Sequence, residues 1–314
     1  KVAMRYDQTV PLARVVTQYQ NELPTPFKRY QIQPVWRAEN TQKGRYREFL
    51  QCDADIVGSF SPLSDAETIA LAIKSVENLG FKNFKVFIND RSIFSDLSKR
   101  GTIDEKDLPF VTRTLDKIKK VGKEKILEEL SRKFSAERAT YLIQNIEEKK
   151  PTENLQEIFK QLQKLGIANF SFAPTLARGL DYYTGMIFEI EIEGYSAGSV
   201  CGGGRYDNLI GLFAGKQIPA VGFAFGFDRL MEAMDELNLF PKSVNESTTK
   251  VLVTIFSKEL KEKSLELTPV LRSSGVQTEI YLDENASLEK QLKYANQKGI
   301  PFVIILGPDE AKKN

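Results

Sequence analysis

The chain has 314 residues, with 44 lysines and arginines against 42 aspartates and glutamates, and a formal net charge of +2. That balance excludes a globally basic nucleic-acid binder, so any contact with RNA would depend on local patches. The sequence contains no histidine, which excludes every catalytic triad, Cys-His pair or metal site that needs an imidazole. The length predicts roughly two domains of about 150 residues each. No apolar run approaches the ~20 residues that a membrane span requires.

The two cysteines, Cys52 and Cys201, predict neither a disulfide framework nor a zinc site. A chain with so few cysteines is typical of the cytoplasm, where we expect this protein. No targeting segment is visible at Lys1, and the first residues resemble the middle of a fold rather than its natural start.

The first candidate site segment runs from Met4 to Arg14 and leads into a short helix predicted from Pro11. A capped helix would account for Thr9 and Pro11. It would not account for Arg5 together with Asp7, so the polar cluster is a candidate for function.

The second candidate segment extends from Arg37 to Gly58. Gln51, Asp53 and Asp55 alternate with apolar residues, so a strand would place all three on one face. A solvent-facing strand would alternate in the same way. The preceding loop is rich in cations, namely Arg37, Lys43, Arg45 and Arg47. Two antiparallel strands joined by such a loop can cradle a polyphosphate, because arginine is always charged and binds oxygens in pairs.

Helical patterns dominate the next part of the chain. Ser64 to Glu67 fit a capping box that opens a helix ending at Gly80, and Phe84 to Ile88 predict a core strand. Residues 91–168 carry apolar residues at helical spacing among many charges and predict an all-helical insertion. Most of those charges belong to a solvated face, while the lysines of 117–125 are candidates for RNA contact.

Polar residues return between residues 176 and 230. Leu176 to Glu189 place Arg178, Tyr182 and Tyr183 before an apolar strand. Three glycines then precede Arg205 and Tyr206, although neither a P-loop nor a dinucleotide-binding glycine pattern occurs. Pro219 to Leu230 predict a strand running directly into a helix with Arg229 in its first turn. A cation there opposes the helix dipole, so it favours an anionic ligand.

A polar linker over 240–249 separates this part from a small terminal unit. Strand patterns over Val251–Ile255, Val276–Leu282 and Phe302–Leu306 alternate with helical patterns over Ser257–Ser273 and Ser287–Gln297. That alternation predicts a β-α-β-α-β unit with parallel strands.

Taken in order, these segments resemble the histidyl-tRNA synthetases, a class II aminoacyl-tRNA synthetase family. Arg37 to Gly58 look like class II motif 2, Gly222 to Leu230 like motif 3, and Arg178 to Thr184 like the histidine-specific signature. The resemblance implies an α+β catalytic core, an antiparallel sheet flanked by helices, with a helical insertion and a C-terminal α/β anticodon-binding domain. The implied boundaries are core 1–90, insertion 91–168, core 169–239, linker 240–249 and an incomplete anticodon-binding domain 250–314.

The resemblance also implies the reaction: ATP-dependent activation of L-histidine to histidyl-adenylate, then transfer to the 3′ end of tRNA(His). It implies ATP with Mg²⁺ as a substrate complex, no prosthetic group and no metal site made by protein alone. The implied catalytic residues are Arg178 and Arg37. The implied ATP-binding residues are Arg37, Glu39, Arg45 and Arg229. The implied histidine-binding residues are Asp7, Thr9, Gln51, Asp55, Arg178, Tyr182, Tyr183 and Tyr206. Among these, Asp55 and Tyr183 are expected to contact the two imidazole nitrogens.

The sequence departs from the family pattern in two respects. Several family members carry glutamate where Asp7 and Asp55 stand here. The segment holding motif 1 and most of the dimer interface would precede Lys1, so we expect a fragment of a protein that is a homodimer at full length.

Two other classes of protein share parts of this pattern. One comprises non-catalytic binding modules, namely a synthetase-like regulatory subunit of histidine biosynthesis and the synthetase-like domain of a translation-control kinase. Both tend to lose the motif arginines, whereas Arg37, Arg178 and Arg229 are all present. The other class comprises prolyl or threonyl synthetases, whose sites need an apolar or zinc-lined pocket instead of Asp55 and Tyr183.

Overall fold

A computed structural model describes residues 2–99, 102–179, 182–241, 244 and 247–312. The chain divides into two compact units, Lys1–Leu239 and Phe240–Asn314. In the described part of the chain, no helix is both long and apolar enough to cross a membrane.

The first unit is built on a seven-stranded sheet with the strand order β1-β2-β7-β6-β5-β3-β4. Its strands are β1 Phe27–Trp36, β2 Glu48–Val57, β3 Phe84–Asp90, β4 Ser171–Phe172, β5 Met186–Ile192, β6 Cys201–Arg205 and β7 Ala220–Gly226. All neighbours pair antiparallel except β3 and β4, which pair parallel. The predicted fold class is therefore confirmed, with one parallel edge pair that the sequence did not indicate.

Helices of the first unit flank this sheet or follow its third strand. They are α1 Thr9–Gln18, α2 Pro62–Asn78, α3 Ser92–Lys99, α4 Leu108–Leu115, α5 Ile118–Val121, α6 Lys123–Ser131, α7 Ala136–Glu147, α8 Glu153–Lys164, α9 Gly211–Ala214 and α10 Phe227–Glu236. A short 3-10 turn, Glu105–Asp107, precedes α4.

Strands β1 and β2 pair antiparallel, as predicted, in a register that places Arg29 opposite Asp55. On its other side β2 pairs with β7, which places Gly222 opposite Asp55. Gln51, Asp53 and Asp55 are all buried. The polar face of β2 therefore points into the molecule rather than toward solvent.

Two predicted helix starts are wrong. The first helix, α1, begins at Thr9 instead of Pro11, because the Asp7 carboxylate accepts the Val10 backbone N–H at 3.1 Å. Ser61, not Ser64, caps α2, since its hydroxyl accepts the Leu63 N–H at 3.2 Å and Pro62 occupies the first helical position. The predicted end at Gly80 agrees with its φ of +92°.

Helices α3 to α8 come between β3 and β4 in the chain, and apolar residues of this region form a cluster of their own. Phe94, Leu115, Ile126 and Leu142 are among its buried members. The lysines of this region that were candidates for RNA contact are partly neutralised, because Lys117, Lys119 and Lys123 pair with Glu129, Glu191 and Glu147 at 2.6–2.8 Å.

The second unit contains a three-stranded sheet whose strands are parallel, as predicted. Their order is β10-β8-β9. Its elements are β8 Val251–Val253, α11 Lys261–Ser273, β9 Thr278–Ile280, α12 Leu288–Gln297, β10 Phe302–Ile304 and α13 Pro308–Lys312. A 3-10 turn, Lys258–Leu260, precedes α11. Within the predicted linker, residues 242, 243, 245 and 246 lie outside the described residues.

Candidate active site

A cavity of about 390 Å³ opens in the first unit, walled by the β1–β2 hairpin, strands β5 to β7 and the start of α10. Every residue predicted for the site lines it: Asp7, Thr9, Arg37, Glu39, Arg45, Gln51, Asp55, Arg178, Tyr182, Tyr183, Tyr206 and Arg229. The sheet thus brings together segments more than 200 residues apart. Leu180 and Asp181 of the predicted signature lie outside the described residues.

Asp55 is held by two partners within this cavity. Its Oδ2 lies 2.9 Å from Arg29 Nη2, and its Oδ1 accepts the Tyr206 hydroxyl hydrogen bond. Gly222 faces it on β7, where a Cβ atom would overlap the carboxylate. Burial raises the pKa of Asp55, and Arg29 and Tyr206 work against that rise. Asp55 is therefore positioned by Arg29 and Tyr206 before any ligand binds.

Asp53 is a cavity residue that the predicted site did not include. It is only 5% exposed, and its Oδ1 has no hydrogen-bond partner among the described residues. Burial, assisted by the charge of Asp55, raises the pKa of Asp53 to about 8. The alternation with Gln51 and Asp55 was the sequence signal that could have included it.

Three tyrosines pack beside these carboxylates. The Tyr182 ring lies 4.8 Å from Tyr183 and 6.0 Å from Tyr206, centroid to centroid. Burial raises the pKa of all three phenols, so they stay protonated and can donate hydrogen bonds. Thr9 works against this rise in pKa at Tyr182.

Arg178 lies against β5 and β6, beside Glu189 and Gly202. Its Nη1 donates to Glu189 Oε1 at 2.6 Å, and its Nε has no partner in the described chain. Burial opposes its charge, but Tyr183 and Glu189 outweigh burial and raise its pKa. Glu189 was missed by the sequence analysis, although it stands out as an acidic residue between the apolar residues of β5.

Arg37 is fixed from three sides. Its Nε donates to the Tyr6 carbonyl at 3.1 Å and its Nη2 to Gln51 Oε1 at 3.2 Å. The guanidinium carbon lies 4.5 Å from the Tyr6 ring centroid and 5.0 Å from that of Phe49. Such stacking holds the planar cation while leaving its charge available to a ligand.

Arg229 occupies the first turn of α10, as predicted. Its Nε and Nη1 donate to the carbonyls of Gly44 and Ser199 at 2.8 and 2.7 Å. Burial and then the charge of Arg45 lower its pKa. Within the described residues no carboxylate forms an ion pair with this half-buried cation, although Glu189 and Glu39 partly offset the lowering of its pKa. Arg45, on the hairpin loop, pairs with Glu39 at 3.2 Å.

The cavity lining carries charges of both signs. Arg37, Arg178 and Arg229 line it together with Asp7, Asp53 and Asp55. A ligand with an anionic and a cationic end would satisfy both signs of charge. Among the described residues, no group of three or more Cys, Asp or Glu side chains could hold a metal ion.

Comparison with known proteins agrees with this architecture. Residues 1–230 match the family model for histidyl-tRNA synthetase, and residues 250–314 match that for the anticodon binding domain. A histidine–tRNA ligase from Cytophaga hutchinsonii is 42% identical over 338 aligned residues, covering 99% of this chain and 73% of that protein. One from Christiangramia forsetii is 41% identical, covering 98% and 72%.

Among solved structures, the histidyl-tRNA synthetase from Nostoc sp. PCC 7120 superimposes with a TM-score of 0.78 and is 28% identical. The match covers 98% of this chain and 77% of that one. Since the family model spans residues 1–230 and these two relatives are 42% and 41% identical over nearly the whole chain, this chain belongs to the histidyl-tRNA synthetase family.

Proposed function

We propose that this protein is a histidine–tRNA ligase, which activates L-histidine with ATP and transfers the histidyl group to the 3′ end of tRNA(His). The observation that carries the proposal is a single cavity in which arginines and buried carboxylates meet, because the two substrates of the first step need both. The arginines suit the triphosphate of ATP. A buried carboxylate cluster suits the ammonium group and the imidazole of histidine.

In this proposal Arg37 contacts the α-phosphate of ATP, and Arg229 contacts the far end of a bent triphosphate. Glu39 and Arg45, paired on the hairpin loop, complete the nucleotide site. Mg²⁺ enters with ATP as part of the substrate. Arg229 supports this role because it is a half-buried cation whose pKa is lowered by burial and by Arg45. A bound anion would offset both effects.

Arg178 is proposed to bridge the histidine carboxylate and the α-phosphate. A carboxylate oxygen attacks the α-phosphorus in line, the bond to the bridging oxygen breaks, and pyrophosphate leaves with the electron pair. No proton needs to be removed from the attacking carboxylate. Positioning and charge stabilisation therefore suffice, which a chain without histidine can provide.

The buried carboxylates of the cavity are proposed to hold the amino acid. Asp7, Thr9 and Gln51 bind its ammonium group, while Asp55 and Tyr183 contact the imidazole nitrogens and Tyr182 and Tyr206 line the pocket. The Tyr206 contact with Asp55 supports this arrangement, because it fixes one carboxylate oxygen for ligand recognition. We add Asp53 to the ammonium site, since its unpartnered buried oxygen requires a cation or a proton.

For the second step we propose that residues 250–314 contact the tRNA anticodon, as their family match suggests. We further propose that the full-length protein is a cytoplasmic homodimer. A purely regulatory role is less well supported, because the three arginines needed for adenylation all line the cavity.

Aminoacylation tests the proposal directly. Purified protein, ATP, Mg²⁺ and labelled histidine should charge unfractionated bacterial tRNA, and periodate oxidation of the tRNA 3′ end should abolish incorporation. A known histidine–tRNA ligase assayed on the same tRNA is the positive control. Charging by the control but not by this protein would contradict the transfer step.

A further inference from the structure

The loop that joins β1 to β2 packs against α10. Its tip is the turn Gln42–Arg45, closed by two backbone hydrogen bonds of 3.1 and 2.8 Å between those residues. Gly44 within this tip has φ of +65° and is buried. A Cβ atom on Gly44 would lie 2.8 Å from the Tyr195 hydroxyl. The loop tip therefore docks closely only because residue 44 is glycine.

Glu232 on α10 accepts three hydrogen bonds, two of them from this loop. Its Oε1 accepts the Gly44 N–H at 3.3 Å and the Tyr46 hydroxyl at 2.6 Å, and its Oε2 accepts the Tyr195 hydroxyl at 2.9 Å. Burial alone would raise its pKa, but these hydrogen bonds outweigh burial and lower the pKa instead. Glu232 is thus an ionised acceptor at neutral pH. In the sequence, Glu232 is distinguished only by its place in a predicted helix, three residues after Arg229.

Gly44 is held through both of its backbone polar groups. Its N–H donates to Glu232, while its carbonyl accepts from Arg229 Nε at 2.8 Å. Both partners lie on one face of α10, because residues three apart on a helix are neighbours. Arg229 Nη1 is held by the Ser199 carbonyl. This leaves Nη2 of Arg229 for a ligand in the cavity.

We propose that Glu232 is a positioning residue for nucleotide binding. By docking the loop tip on α10 it fixes the Gly44 carbonyl that orients the Arg229 guanidinium, and it holds Arg45 beside the same cavity. This inference rests on the proposed function, in which Arg229 and Arg45 bind the ATP triphosphate. Glu232 itself is absent from the cavity lining, so it acts through Gly44 and Arg229.

Replacing Glu232 with alanine should loosen the loop and weaken ATP binding selectively. We expect the dissociation constant of MgATP, measured by calorimetry, to rise about 5- to 10-fold, the size typical of losing charged hydrogen bonds. The dissociation constant of histidine should change less than twofold, since the carboxylate cluster makes no contact with the loop tip. Deuterium uptake by the peptide containing Gly44 should become faster in the ligand-free protein.

Two further variants separate positioning from a general loss of structure. Asp235→Asn changes an exposed carboxylate on the same helix and should leave all three measurements unchanged. Tyr46→Phe removes one donor to Glu232. Its effect on ATP affinity should largely disappear in the E232A background, because both substitutions break the same contact.

The outcomes are distinct for the inference and for the function on which it rests. Unchanged loop deuterium uptake in E232A, or faster uptake with wild-type ATP affinity, would overturn the role of Glu232. Wild-type protein that binds ATP but shows no histidine-dependent pyrophosphate exchange would overturn the proposed function, while the loop measurements would still decide the inference. Wild-type protein that binds no ATP would overturn both.

Discussion

At the residue scale, the site depends on charged side chains whose partners are incomplete. Arg178 has one carboxylate partner and an unpartnered Nε, and Asp53 has an unpartnered Oδ1. Leaving buried polar atoms unpaired costs free energy. Such atoms are therefore where a ligand would contribute most to binding, and where substitution should affect activity more than stability.

Replacing Arg178 with alanine should lower histidine-dependent pyrophosphate exchange by about 10³-fold or more, because a charged contact to the transition state is lost. The melting temperature should fall by only a few degrees, since Glu189 also lines the cavity and water can reach it once its partner is removed. Arg132→Ala, at an exposed ion pair with Glu128, is the matched control. Retained exchange in R178A would contradict the role assigned to Arg178.

Asp53 should give the protein a measurable dependence of stability on pH. Its pKa is raised to about 8 in the folded chain, against 3.8 as the ordinary value. The folded state therefore binds more protons than the unfolded state between those values, and stability falls as pH rises through that window. Asp53→Asn mimics the protonated form and removes this contribution.

As pH increases from 5 to 9, the melting temperature of D53N should therefore rise relative to that of the wild type. The corresponding difference in unfolding free energy should be on the order of a few kcal/mol. Scanning fluorimetry of both proteins across that range provides the comparison. Parallel curves would show that burial of Asp53 does not perturb its ionisation.

At the element scale, β6 shows how one glycine run serves both site and fold. A Cβ atom on Gly202 would overlap the Arg178 guanidinium, which is the end of a flexible side chain. On Gly203 it would overlap the Gly222 carbonyl oxygen and lie 2.6 Å from Phe223 Cβ. The first clash can be relieved by moving a side chain, whereas the second requires the sheet to move.

Gly202→Ala should therefore fold normally but lose more than 10-fold in exchange activity, because Arg178 is displaced. Gly203→Ala should lower the melting temperature by about 5 °C or more, since overpacking a buried strand costs roughly 1–3 kcal/mol. Circular dichroism melts and exchange assays on the two proteins make the comparison. Equal stability losses in both would contradict this division.

Arg205, which follows the same glycines, has a structural role. Its side chain is 7% exposed and makes paired hydrogen bonds to Asp65 at the start of α2, with a further bond to Asp207. Asp65 lies within the segment predicted as a capping box, where Ser61 is the cap instead of Ser64. Sequence alone could not predict the pairing of Arg205 with Asp65, because the two residues lie 140 positions apart.

At the scale of the whole molecule, the sequence predicted the order of the main elements, and the residues proposed from the family resemblance line one cavity. Several contacts were not predicted. Alternation on β2 predicted that Gln51, Asp53 and Asp55 share one face, because strand periodicity is local. The partners of Asp55, namely Arg29, Tyr206 and Gly222, depend on which strands are neighbours, and strand order is not encoded in any short segment. Glu232 was missed for the same reason, since its donors come from the hairpin loop and from Tyr195.

The division into two units predicts separable activities. All residues lining the cavity lie between Tyr6 and Arg229, within the first unit. A chain ending at Leu239 should keep histidine-dependent pyrophosphate exchange within about threefold and lose most tRNA charging. Loss of both activities in a folded protein would mean that the second unit contributes to adenylation.

Histidine activation is tested most directly by ATP–pyrophosphate exchange, measured with histidine and with a panel of other amino acids. We expect exchange with histidine alone, because the buried carboxylates and tyrosines form hydrogen bonds that other side chains leave unsatisfied. Exchange that is absent with histidine, or equally strong with proline or threonine, would contradict this expectation.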